Sequence, residues 1–266
     1  MPYVQCNGAD LYFEDEGTGD PIVLLHGVMA GLRFFEPQLA NLSADYRPIA
    51  LDFRGHGRSS KTDLGHTVPQ YARDLNSFLE QRALDDVVLV GWSMGAHVAW
   101  EYLDRFGTER VRGQVVVDMS ASAFEWDEYP HGSTDLARLT GLLELVQTDY
   151  DSSIEQLVES AFAEPPAGET RSLVFDELSR TPPPIKSAIV FDYTMRDYRD
   201  VLPGIDVPTL VVAGADEKWR TVAAVEDVAE RLPNADFEVI EECGHCPSLE
   251  VPARFDRAIT KFVESL

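Results

Sequence analysis

Short, uninterrupted apolar runs punctuate this chain at residues 22–25, 48–51, 87–90, 115–117 and 209–212. Strands that leave one face in water alternate apolar with polar residues, whereas continuous runs mark strands covered on both faces. Between the runs lie segments of helical periodicity. Val68, Tyr71, Ala72, Leu75, Phe78 and Leu79 form one such stripe, opened by Thr67 and Gln70 in capping-box spacing. Val251, Phe255, Ile259, Phe262 and Val263 form another, with Pro252 suited to its first turn. This alternation predicts an α/β fold, a mostly parallel sheet with helices on both faces. Ahead of the first run, residues 11–15 and the turn Gly17-Thr18-Gly19-Asp20 read as an antiparallel hairpin.

Residues 121–200 break the pattern. They are rich in aromatics, interrupted at Pro165-Pro166 and Pro182-Pro183-Pro184, and carry short helical patches without a convincing strand. A strandless insertion of this length predicts a helical lid on a core made of residues 1–120 and 201–266.

The strongest chemical signal is Gly91-Trp92-Ser93-Met94-Gly95, directly after one apolar run and before a helical stretch. Small residues flanking a serine at a strand-to-helix turn let the backbone bend sharply and present the hydroxyl, which makes Ser93 a candidate nucleophile. Its base should lie on a later loop. His245, in Glu242-Cys243-Gly244-His245-Cys246 after a last strand at 237–240, falls on the same sheet edge. The third member must orient the imidazole and stabilise its charged form. Asp216, just past the strand ending at Val212, is the expected acid, with Glu217 and Asp118 as competitors. Gly27 lets the turn after residues 22–25 place the Val28 N–H beside that of Met94, a pair suited to an oxyanion hole.

These landmarks resemble the α/β-hydrolase superfamily over essentially the whole chain: the His26-Gly27 turn, the Asp52-Phe53-Arg54-Gly55-His56-Gly57-Arg58-Ser59 loop, the Gly91 to Gly95 elbow, the acid near Asp216, and Gly244-His245. Small bacterial and archaeal serine esterases and cofactor-free haloperoxidases are the nearest in appearance. The resemblance implies an eight-stranded, mostly parallel sheet, a triad of Ser93, Asp216 and His245, and an active site roofed by the lid. One departure stands out. The family's acid usually falls three residues after a strand-ending glycine, and Asp216 falls two after Gly214. Serine at position 93 argues against the dehalogenase and epoxide-hydrolase branches, which need a carboxylate nucleophile.

The expected reaction is acyl transfer from a small or medium carboxylic ester, needing no metal or organic cofactor. Met29, Phe34, Phe124, Trp126, Tyr129 and Trp219 are the candidate pocket residues. Perhydrolase or haloperoxidase, lactonase and carbon–carbon bond hydrolase activities use the same scaffold, as would a non-catalytic ligand receptor.

Composition narrows the partners. The 266 residues carry 22 Lys+Arg against 46 Asp+Glu, a net charge of −24, which opposes binding to nucleic acid or to anionic lipid. Only Lys61, Lys186, Lys218 and Lys261 are lysines, an acidic, lysine-poor balance that suits concentrated salt as well as an ordinary cytoplasm. No apolar stretch reaches the roughly 18 residues of a membrane span, and the N-terminus lacks signal-peptide character, so a cytoplasmic enzyme is expected. Three cysteines are too few for a disulfide framework. Cys243-Gly244-His245-Cys246 matches the redox sequence of protein disulfide isomerases, but too little chain follows it for a thioredoxin-like domain.

Overall fold

Each buried strand carries two apolar faces. In the computed structural model, which describes residues 2–266, Ile22 and Leu24 of β3 (Pro21–Leu25) pack into one hydrophobic layer while Val23 and Leu25 pack into the other. This is the physical reason for the continuous runs, and each such side chain contributes about 1.5–3 kcal/mol by leaving water.

The remaining strands are β1 (Tyr3–Cys6), β2 (Ala9–Asp15), β4 (Arg47–Leu51), β5 (Val87–Trp92), β6 (Val111–Val117), β7 (Thr209–Gly214) and β8 (Ala235–Ile240). They form one eight-stranded sheet in the order β1-β2-β4-β3-β5-β6-β7-β8. From β4 to β8 every pairing is parallel, whereas β2 runs antiparallel to both of its neighbours. The expected hairpin through Gly17-Thr18-Gly19-Asp20 does not form. β2 instead pairs backwards with β1 across Asn7-Gly8, both at positive φ (47° and 80°), a two-residue turn whose twist matches the strands.

Helix α1 (Glu36–Leu42) packs on one side of the sheet, and α2 (Val68–Gln81) and α3 (Met94–Phe106) pack on the other. The Thr67 hydroxyl caps α2 by accepting from the Gln70 N–H at 3.3 Å, but the Gln70 side chain does not close the box. It bonds Asp74 and Arg73 instead. Between β6 and β7 come α4 (Leu136–Thr148), α5 (Tyr150–Ser160), α6 (Gly168–Ser179) and α7 (Pro183–Thr194). The ends of this segment are pinned side by side by an antiparallel bridge, Ser122 to Asp197, and by the Tyr198 N–H donating to Ala121 O at 2.9 Å. Helix α8 (Val222–Arg231) joins the α2–α3 layer, and the short α9 (Pro247–Glu250) leads into α10 (Pro252–Val263), whose Phe255, Ile259 and Phe262 are buried in the α1 layer. Among the described residues no helix is long and apolar enough to cross a membrane.

Candidate active site

At the carboxyl end of β5 the backbone turns sharply. Ser93 is held at φ 52°, ψ −122°, a strained conformation for a residue with a side chain. A Cβ on Gly95 would strike the Leu25 carbonyl, and one on Gly27 would meet Ser93 Cβ at 3.3 Å, so the turns after β3 and β5 press on one another. The N–H groups of Val28 and Met94 donate to no backbone carbonyl in these turns, and Met94 opens α3. The turn after β3 is braced from below. His26 Nε2 accepts from the Phe53 N–H at 3.1 Å while Nδ1 lies 2.7 Å from Gly27 O, an arrangement open only to a neutral ring. His56 accepts from the Met29 N–H, and Asp52 accepts from the N–H groups of Leu32 and Arg58.

His245 and Ser93 line the same cavity, of about 500 Å3, and no hydrogen bond joins their side chains in this structure. The His245 loop is anchored at both backbone polar groups: Trp92 Nε1 donates to its carbonyl at 2.6 Å, and its N–H donates to Ala161 O at 3.0 Å. Burial holds the imidazole below its usual pKa, only partly offset by the Glu217 carboxylate, which favours the neutral ring a base requires.

The acid beside that ring is Glu217. Its Oε2 lies 3.4 Å from His245 Nδ1, an ion-pair separation short of a formed hydrogen bond, and both side chains are 1% exposed. Its two oxygens accept from the N–H groups of Trp219 (2.7 Å) and Arg220 (2.9 Å). Burial works to raise this carboxyl, but His245 foremost, then Arg220 and the Trp219 N–H, hold it below its usual range. Asp216 is therefore not at the imidazole. Its side chain is exposed, because the Asp216 N–H is tied to Cys243 O and the next residue is the one that turns inward. Asp118, at the end of β6, is buried and accepts from the Gly214 N–H at 2.9 Å. Burial and the nearby Glu217 charge push its carboxyl well above the usual range.

The sequence pattern of the alpha/beta hydrolase family matches residues 22–258. The chain belongs to that family. A non-heme chloroperoxidase of Kitasatospora aureofaciens is 30% identical over 97% of each chain. Among solved structures, an esterase from Exiguobacterium antarcticum superposes with a TM-score of 0.95 at 28% identity over 98% of each chain, and a bromoperoxidase from Bacillus anthracis with 0.92 at 26% over 96% of each.

Three of the hydrolase's expected pocket residues, Met29, Phe34 and Trp219, line the cavity, and the Trp219 ring lies 4.7 Å from that of His245. Phe124, Trp126 and Tyr129 do not. Phe124 and Trp126 pack on each other at 4.8 Å, and buried Tyr129 accepts from the Ala121 N–H and bonds Asp227 of α8. The inserted helices add an aliphatic wall of Leu142, Leu157, Val174, Leu178 and Val190, beside the aromatic Trp92 and Tyr193.

One organising residue escaped the sequence reading. The Glu250 carboxylate accepts from the N–H groups of Gly244, Cys246 and Ala163, which clasps the His245 loop to the inserted segment. No local motif signals it. Cys243 and Cys246 are buried free thiols whose pKa burial raises, so neither is poised as a thiolate.

Proposed function

We propose that this hydrolase cleaves small to medium carboxylic esters through an acyl-enzyme, with Ser93 as nucleophile, His245 as base and Glu217 as the acid that steadies the imidazolium. The observation that carries this reading is the convergence of a strained Ser93 and a buried His245–Glu217 pair on one cavity. His245 Nε2 takes the Ser93 proton as Oγ attacks the ester carbonyl, and the N–H groups of Val28 and Met94 receive the oxyanion. The alkoxide leaves with the proton from His245. Water then attacks the acyl-enzyme, giving its proton to His245, and the acid departs as Ser93 regains its hydrogen. A cavity of about 500 Å3 lies within the range usual for small-molecule sites and favours small or medium esters under the inserted helices acting as a lid.

The similarity to a chloroperoxidase and a bromoperoxidase supports a second reading. Hydrogen peroxide in place of water would release the acyl group as a peracid from the same intermediate.

Ser93→Ala tests the scheme. Hydrolysis of 4-nitrophenyl butyrate should fall at least 10³-fold while the melting temperature is kept, and a fluorophosphonate should label wild type at Ser93 alone. A variant keeping most of its activity contradicts the mechanism. Peracid formation faster than ester hydrolysis would favour the second reading.

A further inference from the structure

Arg220 is the cavity's one charged wall residue without a side-chain partner among the described residues. It is only 5% exposed, its Nε and Nη1 are buried without an acceptor, and its single hydrogen bond runs from its backbone N–H to Glu217. A guanidinium taken out of water costs several kcal/mol unless an anion faces it. Two buried acids, Glu217 and Asp118, lie near enough to feel its charge, but neither accepts from its side chain: Glu217 serves His245 and two N–H groups, and Asp118 accepts from the Gly214 N–H through one oxygen while the other has no partner. The other charged wall residues are satisfied, Arg138 by Glu125 at 3.6 Å and Lys218 by Phe162 O at 2.6 Å.

The wall also inverts the charge of the molecule. Acids outnumber bases 46 to 22 in the chain, yet Arg138, Lys218 and Arg220 line the cavity against the one carboxylate of Glu125. A surface of net −24 repels an anionic substrate at long range, and a cationic wall offsets that repulsion where it matters.

We propose that Arg220 binds a carboxylate carried by the substrate, so that the preferred esters are monoanions: half-esters of dicarboxylic acids or acyl esters of hydroxy acids. The assignment rests on the ester-hydrolase reading above. A guanidinium fork matches a carboxylate with two parallel hydrogen bonds, which selects for geometry as well as charge.

Two matched pairs test it: 4-nitrophenyl hydrogen glutarate against 4-nitrophenyl pentanoate, and 2-acetoxypropionate against its methyl ester. Wild type should favour the anion of at least one pair by roughly 10- to 100-fold in kcat/KM. Arg220→Met should collapse that ratio, chiefly through KM, and Arg220→Lys, which keeps the charge but not the fork, should keep part of it. No preference in either pair overturns the proposal. So does an equal loss on both members in Arg220→Met, with the acid limb of the rate profile moved to higher pH, because that assigns Arg220 to the Glu217–His245 pair. Calorimetric titration with glutarate separates this from the reaction scheme. In a Ser93→Ala background Arg220→Met should bind at least tenfold more weakly, and equal affinities refute the carboxylate site. Failure of the hydrolase reading appears instead as wild type that a fluorophosphonate leaves unlabelled.

Discussion

Below the cavity, Ser93, Gly27 and Trp92 sit on buried strand ends so tightly opposed that a single added methyl on Gly27 would press on the serine. Above it, α4 to α7 bury Leu139, Ile154, Val158, Val174 and Leu178 in the layer that holds α1 and add polar ties, while leaving Leu136 62% and Phe191 52% exposed. Glu177 of α6 meets Arg33 at 3.6 Å and Arg180 at 3.0 Å, Asp192 of α7 accepts from the Val68 N–H, and Glu250 accepts from the Ala163 N–H. Backbone crowding fixes the elbow, whereas side-chain packing supplemented by charges and hydrogen bonds holds the upper wall of the cavity. The lower wall is thus set by its backbone and the upper wall by side chains that single substitutions can alter.

Among the contacts that join the two walls, the clasp offers the largest effect. Glu250→Ala leaves three N–H groups around His245 and Ala163 without their acceptor, and kcat/KM on 4-nitrophenyl butyrate should fall about 10- to 100-fold. Unchanged kinetics would show that the His245 loop stands without α9. A smaller effect should follow inside the roof. Leu178→Ala widens the aliphatic wall and should move the optimum of a C2–C10 acyl series toward longer chains, with a two- to fivefold change in relative kcat/KM. An unmoved optimum would take substrate selection away from the inserted helices.

The attachment of α6 should show in pH alone. Burial, then the nearby Asp52, raises the Glu177 carboxyl from 4.5 to about 7, against Arg180 and Arg33. Between those values the folded chain keeps a proton that the unfolded chain releases, so this carboxyl's contribution to stability weakens as pH rises toward 7. Glu177→Gln mimics the protonated form, and its melting temperature should gain on wild type from pH 5 to pH 8. A constant difference across that range would remove Glu177 as a titrating tie.

What the chain disclosed in advance follows the same division. The elbow was legible because only small residues fit beside Leu25 and Ala96, so the turn is written in its glycines. The parallel strands were legible because burial on two faces leaves no polar alternation. β1 was missed although Asn7-Gly8 carried a hairpin signal, since its own residues alternate weakly between exposed and buried. The carboxylate beside the imidazole was misplaced by one residue: Asp216 and Glu217 are both acidic, and Glu217 turns inward where the Asp216 N–H bonds Cys243 O, distant in sequence. Its three-residue spacing from Gly214 was the available clue. Tyr129 and Trp126 were misassigned because apolar bulk near a site looks the same whether it lines a cavity or packs behind it, and Glu250 acts through backbone groups that no pattern of side chains announces.

The central claim is that Glu217 rather than Asp216 serves His245, and kcat/KM against pH for Glu217→Gln and Asp216→Asn tests it most directly. Wild type should lose activity on the acid side with a midpoint below 6.5, because burial holds His245 down. Glu217→Gln should lose roughly 10²- to 10⁴-fold, with that midpoint moved lower still as the raising charge is removed, while Asp216→Asn stays within threefold of wild type. Loss in Asp216→Asn with activity kept in Glu217→Gln would contradict the account.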